Sequence, residues 1–246
     1  WLSSVEIMEV MKQYEKSYQC FEFIGPSPID YDKHLSYGEC VWEELCKFSL
    51  KDNIKKGKKK VGVIFNLDKH DKEGSHWVGL FINIKKSMIY YLDSYGEEIP
   101  GQINKFVNKI KKQANALNLK KFTLRENRRR HQFSDSECGM YSLYFIIYML
   151  KNDNFGKFTK QRVKDDYMKK LRKMYFDKIE RLNTPSFDKI NKMFFELFGI
   201  KKFLDIKKDI KKDIRVQFDF LMQLRHLMAH QGGIGEESLN EIKVVI

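Results

Sequence analysis

The sequence predicts an α+β fold: a central mixed β-sheet flanked by helices, followed by a small all-α C-terminal segment. Three observations predict it. Short apolar, β-branched runs at 61–67, 76–84 and 88–92 cluster in the middle of the chain, with helix-period segments on either side. The apolar run that follows the last strand opens at a cysteine and is long enough for a buried helix. From 184 onward the pattern is helical and lysine-rich, and strand signals stop.

Taken in order, residues 1–18 read as a helix, with Val5, Met8, Met11 and Tyr14 or Tyr18 at helical spacing. Gly25-Pro26-Ser27-Pro28 predicts a loop. Residues 38–50 predict a short helix with Trp42, Leu45 and Phe48 on one side, and 55–60 a solvated basic loop. The strand at 61–67 is followed by a polar turn containing Gly74. In the next strand Val78, Leu80, Ile82 and Ile84 alternate; Asp93-Ser94-Tyr95-Gly96 ends the third. An amphipathic helix over 99–117, a fourth strand at 122–124, a polar loop to 137, a helix from Cys138 to about Leu150 and a helix over 160–176 complete the domain. Asn183-Thr184-Pro185 would cap a new helix, placing a boundary near 178–184 and dividing the chain into 1–177 and 184–246.

The length of 246 residues suits one medium domain, alone or with an appendage. Hydrophobic residues at 42% and aromatics at 14% exclude a disordered chain. No stretch approaches the ~20 apolar residues of a membrane helix, so no membrane partner is expected. The chain begins at Trp1 without an initiator Met, which reads as a fragment or trimmed product. A formal charge of +13 favours acidic partners such as DNA or RNA, or else reflects lysines at solvated positions. The basic runs at 55–60, 109–112, 128–130 and 207–212 are spread along the chain rather than gathered. Cys20, Cys40, Cys46 and Cys138 form no C-x-x-C pair, and no His stands at zinc-finger spacing from them. No disulfide framework, metal or cofactor is therefore expected, and a reducing compartment is.

Four residues carry candidate chemistry. Cys138, at a helix start, would meet partial positive charge from free N–H groups, which favours the nucleophilic thiolate; alternatively it packs as a small hydrophobe. Gly139 beside it allows close approach. His76 begins a strand after a flexible turn and could take the thiol proton. Asp93, closing the next strand, could reach the far nitrogen of that imidazole and fix its tautomer. Gln132, six residues before Cys138, could donate to a developing oxyanion. Each alone also has a plain structural reading: surface histidine, turn aspartate, loop glutamine.

The ordered set His76-Trp77, Leu92-Asp93-Ser94, Gln132 and Cys138-Gly139 resembles the family of SUMO-specific proteases and adenovirus protease. Trp1-Leu2 looks like the pair that opens the family's domain. Arg130-His131 before Gln132, Asp166-Tyr167-Met168, and the segments 10–15 and 25–30 are similar to maturation proteases of large nucleocytoplasmic DNA viruses. The resemblance covers about 1–176 and thins in 31–60. It implies a cysteine endopeptidase with His76, Asp93, Gln132 and Cys138 catalytic, and with Trp1 and Trp77 walling a slot for Gly-Gly before the scissile bond. It implies viral structural proteins as substrates, in the virion or the cytoplasm of an infected cell, or else removal of a ubiquitin-like modifier. Adenovirus protease uses DNA as a cofactor, which keeps DNA open as a partner.

In the C-terminal segment Arg225 and His230 are five apart, nearly on one helical face. They resemble the R-x4-H motif of HEPN-type helical domains, some of which are metal-independent ribonucleases. That resemblance implies Arg225 on phosphate and His230 in acid–base chemistry. The alternative is an amphipathic helix capped by Gly232-Gly233.

Overall fold

A computed structural model of the chain describes residues 2–36 and 38–183, with side chains through 175. Trp1, Arg225 and His230 lie outside the described residues. The chain divides into two compact units, Trp1–Phe176 and Asp177–Ile246; the sheet belongs to the first.

The elements run α1 (Ser4–Ser17), β1 (Phe21–Pro28), α2 (Glu43–Cys46), α3 (Leu50–Lys55), β2 (Lys60–Asn66), β3 (Trp77–Asn83), β4 (Met88–Leu92), α4 (Gly101–Ala116), β5 (Thr123–Glu126), α5 (Cys138–Asn152), α6 (Phe155–Lys160) and α7 (Asp165–Asn183). One five-stranded sheet has the order β1-β2-β3-β4-β5. Its outer pairs, β1–β2 and β4–β5, are parallel and its inner pairs antiparallel, so the sheet is mixed as the sequence predicts.

Both faces of the sheet are covered over β2, β3 and β4, while the edge strand β5 has no buried residue. Every residue of β3 is buried, which the alternation of Val78, Leu80 and Ile82 alone did not require. Those three residues pack with Val61, Val63 and Phe65 of β2 and with Ile103, Phe106 and Ile110 of α4. Trp77, Phe81 and Ile64 face the other way, toward Ile7 and Met11 of α1 and toward α5. Strand residues with opposite parity thus feed two separate cores.

The approach of α5 to the sheet is set by glycine. A Cβ on Gly62 would sit 2.8 Å from Ile146 Cγ2, and one on Gly79 would sit 2.9 Å from Phe145 Cδ1. The helix therefore lies closer than any side chain at those two positions would permit. Its far end is pinned by Asn83 Nδ2, which donates to Asp153 Oδ2 at 2.9 Å, and by Lys60 Nζ, which donates to Leu150 O at 2.7 Å.

Several expectations are corrected. Residues 25–28 belong to β1: this is an edge strand with a register break between Ile24 and Ser27, where prolines need no ladder N–H. Val5 is 64% exposed, and the buried face of α1 is Ile7 and Met11. Residues 38–50 hold only the one-turn α2 and the start of α3. The basic run at 55–60 is not wholly solvated, since Lys58 Nζ donates to Phe21 O and pairs with Glu22. The helix expected over 160–176 begins only at Asp165, after the short α6, and runs on to Asn183. Cys40 and Cys46 are joined, contrary to the expectation of no disulfide. The single turn of α2 brings the second sulfur back over the first, a proximity that spacing alone does not reveal. Among the described residues no helix is long and apolar enough to cross a membrane.

Gly79→Ala should lower stability by about 1–3 kcal/mol through overpacking against Phe145, read as a lower denaturant midpoint with an unchanged slope.

Candidate active site

Three sequence-predicted residues meet at the N-terminus of α5. Cys138 is the first residue of that helix and is 2% exposed. His76 directly precedes β3, held by the bond from Leu67 N to its carbonyl at 2.9 Å. Its Nε2 lies 3.0 Å from Asp93 Oδ1, just past the end of the neighbouring strand β4. The ring also hydrogen-bonds Cys138. Since Nε2 is engaged by the carboxylate, Nδ1 faces the sulfur. Antiparallel pairing of β3 with β4, Gly79 opposite Leu92, brings the histidine and the aspartate to the same sheet end.

Burial works against the charged form of His76, but the hydrogen bond to Asp93, with that to Cys138 next, outweighs it and lifts the imidazole to about 9. A raised value means that the imidazolium persists through neutral pH and is lost as pH rises through about 9. Negative charge on the sulfur is then met by that imidazolium and by the free N–H groups of the first turn of α5.

Asp93 is itself held. Its Oδ1 accepts Tyr95 N at 2.7 Å, and its carbonyl accepts Asn127 Nδ2 at 3.0 Å. Tyr95 stacks on the His76 ring, centroids 4.9 Å apart and planes 17° apart.

Gln132 is fully buried. Ser94 Oγ donates to its Oε1 at 2.7 Å, which orients the amide. Its Nε2 donates to Ser134 O at 2.5 Å and to Tyr95 Oη at 3.4 Å. One hydrogen is thus used within the loop that leads to Cys138 and the other on the tyrosine that follows β4.

Trp77 is 8% exposed, and its Nε1 donates to Leu2 O at 3.2 Å. These two residues flank the nucleophile's neighbour: a Cβ on Gly139 would meet Leu2 Cβ at 3.1 Å and Trp77 Cδ1 at 3.3 Å. An open groove of about 570 Å³ runs up to them, lined also by Pro26, Trp42, Asn66 and His70. A hollow of about 650 Å³ lies against α4; neither space is lined by Cys138 or His76, and the groove comes nearest through Leu2 and Trp77, which crowd Gly139.

Residues 7–185 match the family described as "Ulp1 protease family, C-terminal catalytic domain". The chain belongs to this family. The match is to the family's catalytic domain, and the chain's relatives include proteases of large DNA viruses. A putative thiol protease of Acanthamoeba polyphaga mimivirus is 33% identical over 180 residues, 72% of this chain and 56% of that protein. The SUMO-1 cysteine protease S273R of an African swine fever virus isolate (Pig/Kenya/KEN-50/1950) is 31% identical over 183 residues, covering 71% of this chain and 67% of that protein. The crystal structure of the African swine fever virus pS273R protease shares the fold, with a TM-score of 0.58 at 23% identity over 70% of this chain and 65% of that one. The chain thus spans little more than half of the mimivirus relative and between 43% and 67% of the swine fever virus ones.

The Ulp1-type domain also relies on residues that sequence reasoning missed. Asp165, in the first turn of α7, accepts Phe133 N at 3.1 Å, Ser134 Oγ at 3.3 Å and Tyr141 Oη at 3.0 Å, clamping the loop before the nucleophile. Burial opposes its charge, but these donors hold its carboxyl below the usual range. His131, named with Arg130 as a basic pair, is kept uncharged. Burial, then Arg129 and Arg162, lowers it to about 4. Its Nδ1 accepts Val163 N at 3.0 Å, so Nε2 carries the proton and donates to Asn127. Arg130 Nε donates to Gln132 O, and Arg129 Nε to Thr159 O, so two arginines of this exposed basic run also hold the domain's own backbone. Glu137, fully buried beside Cys138, pairs with Arg172 of α7 at 3.0 Å. The partners supplied by Asp165, Val163 and Arg172 lie about thirty residues from the groups they hold, and no local signal would have found them.

Two outcomes are expected. Asp93→Asn should move the His76 titration, followed by imidazole NMR, from about 9 toward the ordinary histidine value, so that the imidazolium is lost at lower pH. Arg172→Ala should cost about 3–5 kcal/mol by stranding a buried carboxylate, and adding Glu137→Gln should recover part of that loss in the same melts.

Proposed function

We propose that this domain is a cysteine endopeptidase that cleaves after small residues of the Gly-Gly type and processes viral structural proteins during virion maturation. It would act in the virion or in the cytoplasm of an infected cell. The observation that carries the reading is the meeting of His76 with both Asp93 and Cys138 at a helix N-terminus.

In this reading the Cys138 thiolate attacks the scissile carbonyl carbon. His76, as imidazolium, gives its proton to the leaving amine and becomes the base that activates water. Water then resolves the acyl-enzyme, releasing the carboxylic acid and restoring the thiol. Asp93 keeps the ring in the right tautomer and stabilises its charge. One Gln132 hydrogen turns from Ser134 O or Tyr95 Oη to the oxyanion when substrate is bound. The crowding of Leu2 and Trp77 against Gly139, next to the nucleophile, supports small residues next to the bond, and Trp1 is proposed as a further wall of that slot.

A second reading, in the same chemistry, is removal of a ubiquitin-like modifier, favoured by the name SUMO-1 cysteine protease carried by a relative. Binding of DNA or RNA through the basic surface, and phosphodiester chemistry at Arg225 and His230, remain proposals resting on sequence pattern.

A Gly-Gly peptide with an electrophilic end should label Cys138, and Cys138→Ala should abolish labelling. Absence of labelling in folded wild-type protein overturns the peptidase reading for this chain. Gln132→Ala should cut turnover by about 10²–10³ while leaving the labelled residue unchanged. Cleavage of a capsid-precursor peptide but not of a SUMO conjugate separates the two substrate classes.

A further inference from the structure

The segment where the sequence resemblance thins folds into a compact hairpin. His34 and Cys40 face each other in an antiparallel bridge. Val41 N donates to Lys33 O and Trp42 N to Tyr31 O, each at 2.9 Å, continuing the pairing. The turn closes with Leu35 N donating to Glu39 O at 2.8 Å. Cys40 N donates to Glu43 Oε1 at 2.9 Å, which starts α2, and α2 carries Cys46 back over Cys40. His34 Nε2 ends 3.8 Å from Cys40 Sγ.

Three soft or borderline donor atoms, His34 Nε2, Cys40 Sγ and Cys46 Sγ, therefore lie within 4.8 Å of one another. Two donors on one tetrahedral zinc ion stand roughly 3.5–3.8 Å apart, from bond lengths near 2.0–2.3 Å. His34 is exposed and Cys46 half-buried, so an ion and a water can enter from solvent.

We propose that Cys40 and Cys46, when reduced, bind one zinc ion together with His34, with water in the fourth position. The sulfur–sulfur bond seen in the structure is the alternative, oxidised state of the same site. A low-molecular-weight dithiol supplies the two electrons that break that bond and leaves as its own cyclic disulfide. Its two protons pass to the two cysteine sulfurs. Zinc displaces those protons, and neutral His34 contributes the lone pair of Nε2. Two thiolates balance the charge of the divalent ion. Val41 and Trp42, which lie between the two cysteines, line the groove that leads to Trp77. Either cross-link therefore holds one wall of that groove, and the choice between them follows the thiol redox state.

The test needs no peptidase activity and so stands apart from the proposed function. Full chain carrying Cys138→Ala and Cys20→Ser is reduced with a phosphine, freed of reductant and titrated with cobalt(II). A thiolate-to-cobalt charge-transfer band should grow to saturation at one ion per chain and be bleached by zinc. The same chain oxidised with diamide should give no band. Cys40→Ser with Cys46→Ser should remove the band, and His34→Ala, at an exposed position, should weaken cobalt binding without altering circular dichroism. No band in folded, reduced protein overturns the proposal. So does a band that survives loss of both sulfurs, or binding indifferent to His34→Ala.

Discussion

The close seat of α5 on the sheet is the constraint from which the candidate site follows. Gly62 and Gly79 remove the side chains that would hold the helix off, and Ile146 and Phe145 fill the space instead. Asp153 and Leu150 tie the far end to β2, β3 and the turn after it. With the axis fixed at that depth, Cys138 emerges beside the ends of β3 and β4. His76 and Asp93 stand at those ends because antiparallel register puts them there. A sulfur, an imidazole and a carboxylate converge without any one local segment encoding the meeting.

Around that convergence the loops are held by hydrogen bonds rather than by apolar packing. Asn127 grips the Asp93 carbonyl and the neutral His131; His131 receives Val163 N; Asp165 grips the Phe133 and Ser134 backbone. Ser94 orients Gln132, and Tyr95 lies flat on His76. Buried polar groups that are fully paired specify one arrangement, whereas unpaired ones are costly. Such a network suits a site whose groups must be in place before substrate arrives.

Much of this was legible in the sequence, because the strands carry β-branched runs and the helices carry period. His76, Asp93 and Cys138 stand at the ends of strongly patterned elements, whose existence and type pattern reading finds well. Three kinds of feature were hidden. The strand at 25–28 was masked by two prolines and a glycine, which an edge position tolerates. Asp165 and Arg172 act on residues about thirty positions earlier, and sequence distance conceals such pairs. His34, Cys40 and Cys46 converge only because a bridge and one helical turn fold the chain back on itself.

Burial of the central strand β3 on both faces bears on how such a domain diversifies. A strand with no solvent face has no position at which a substitution is free of packing cost. Heritable change in what is cut must accumulate in the rim, where 66–76 and 127–137 lead to His76 and Cys138 and where Trp42 lines the neighbouring groove. That rim can be lengthened, re-crosslinked or recharged while the scaffold stays under purifying selection. Lineages sharing this scaffold are then expected to diverge earliest, and furthest, in the hairpin that bears Trp42.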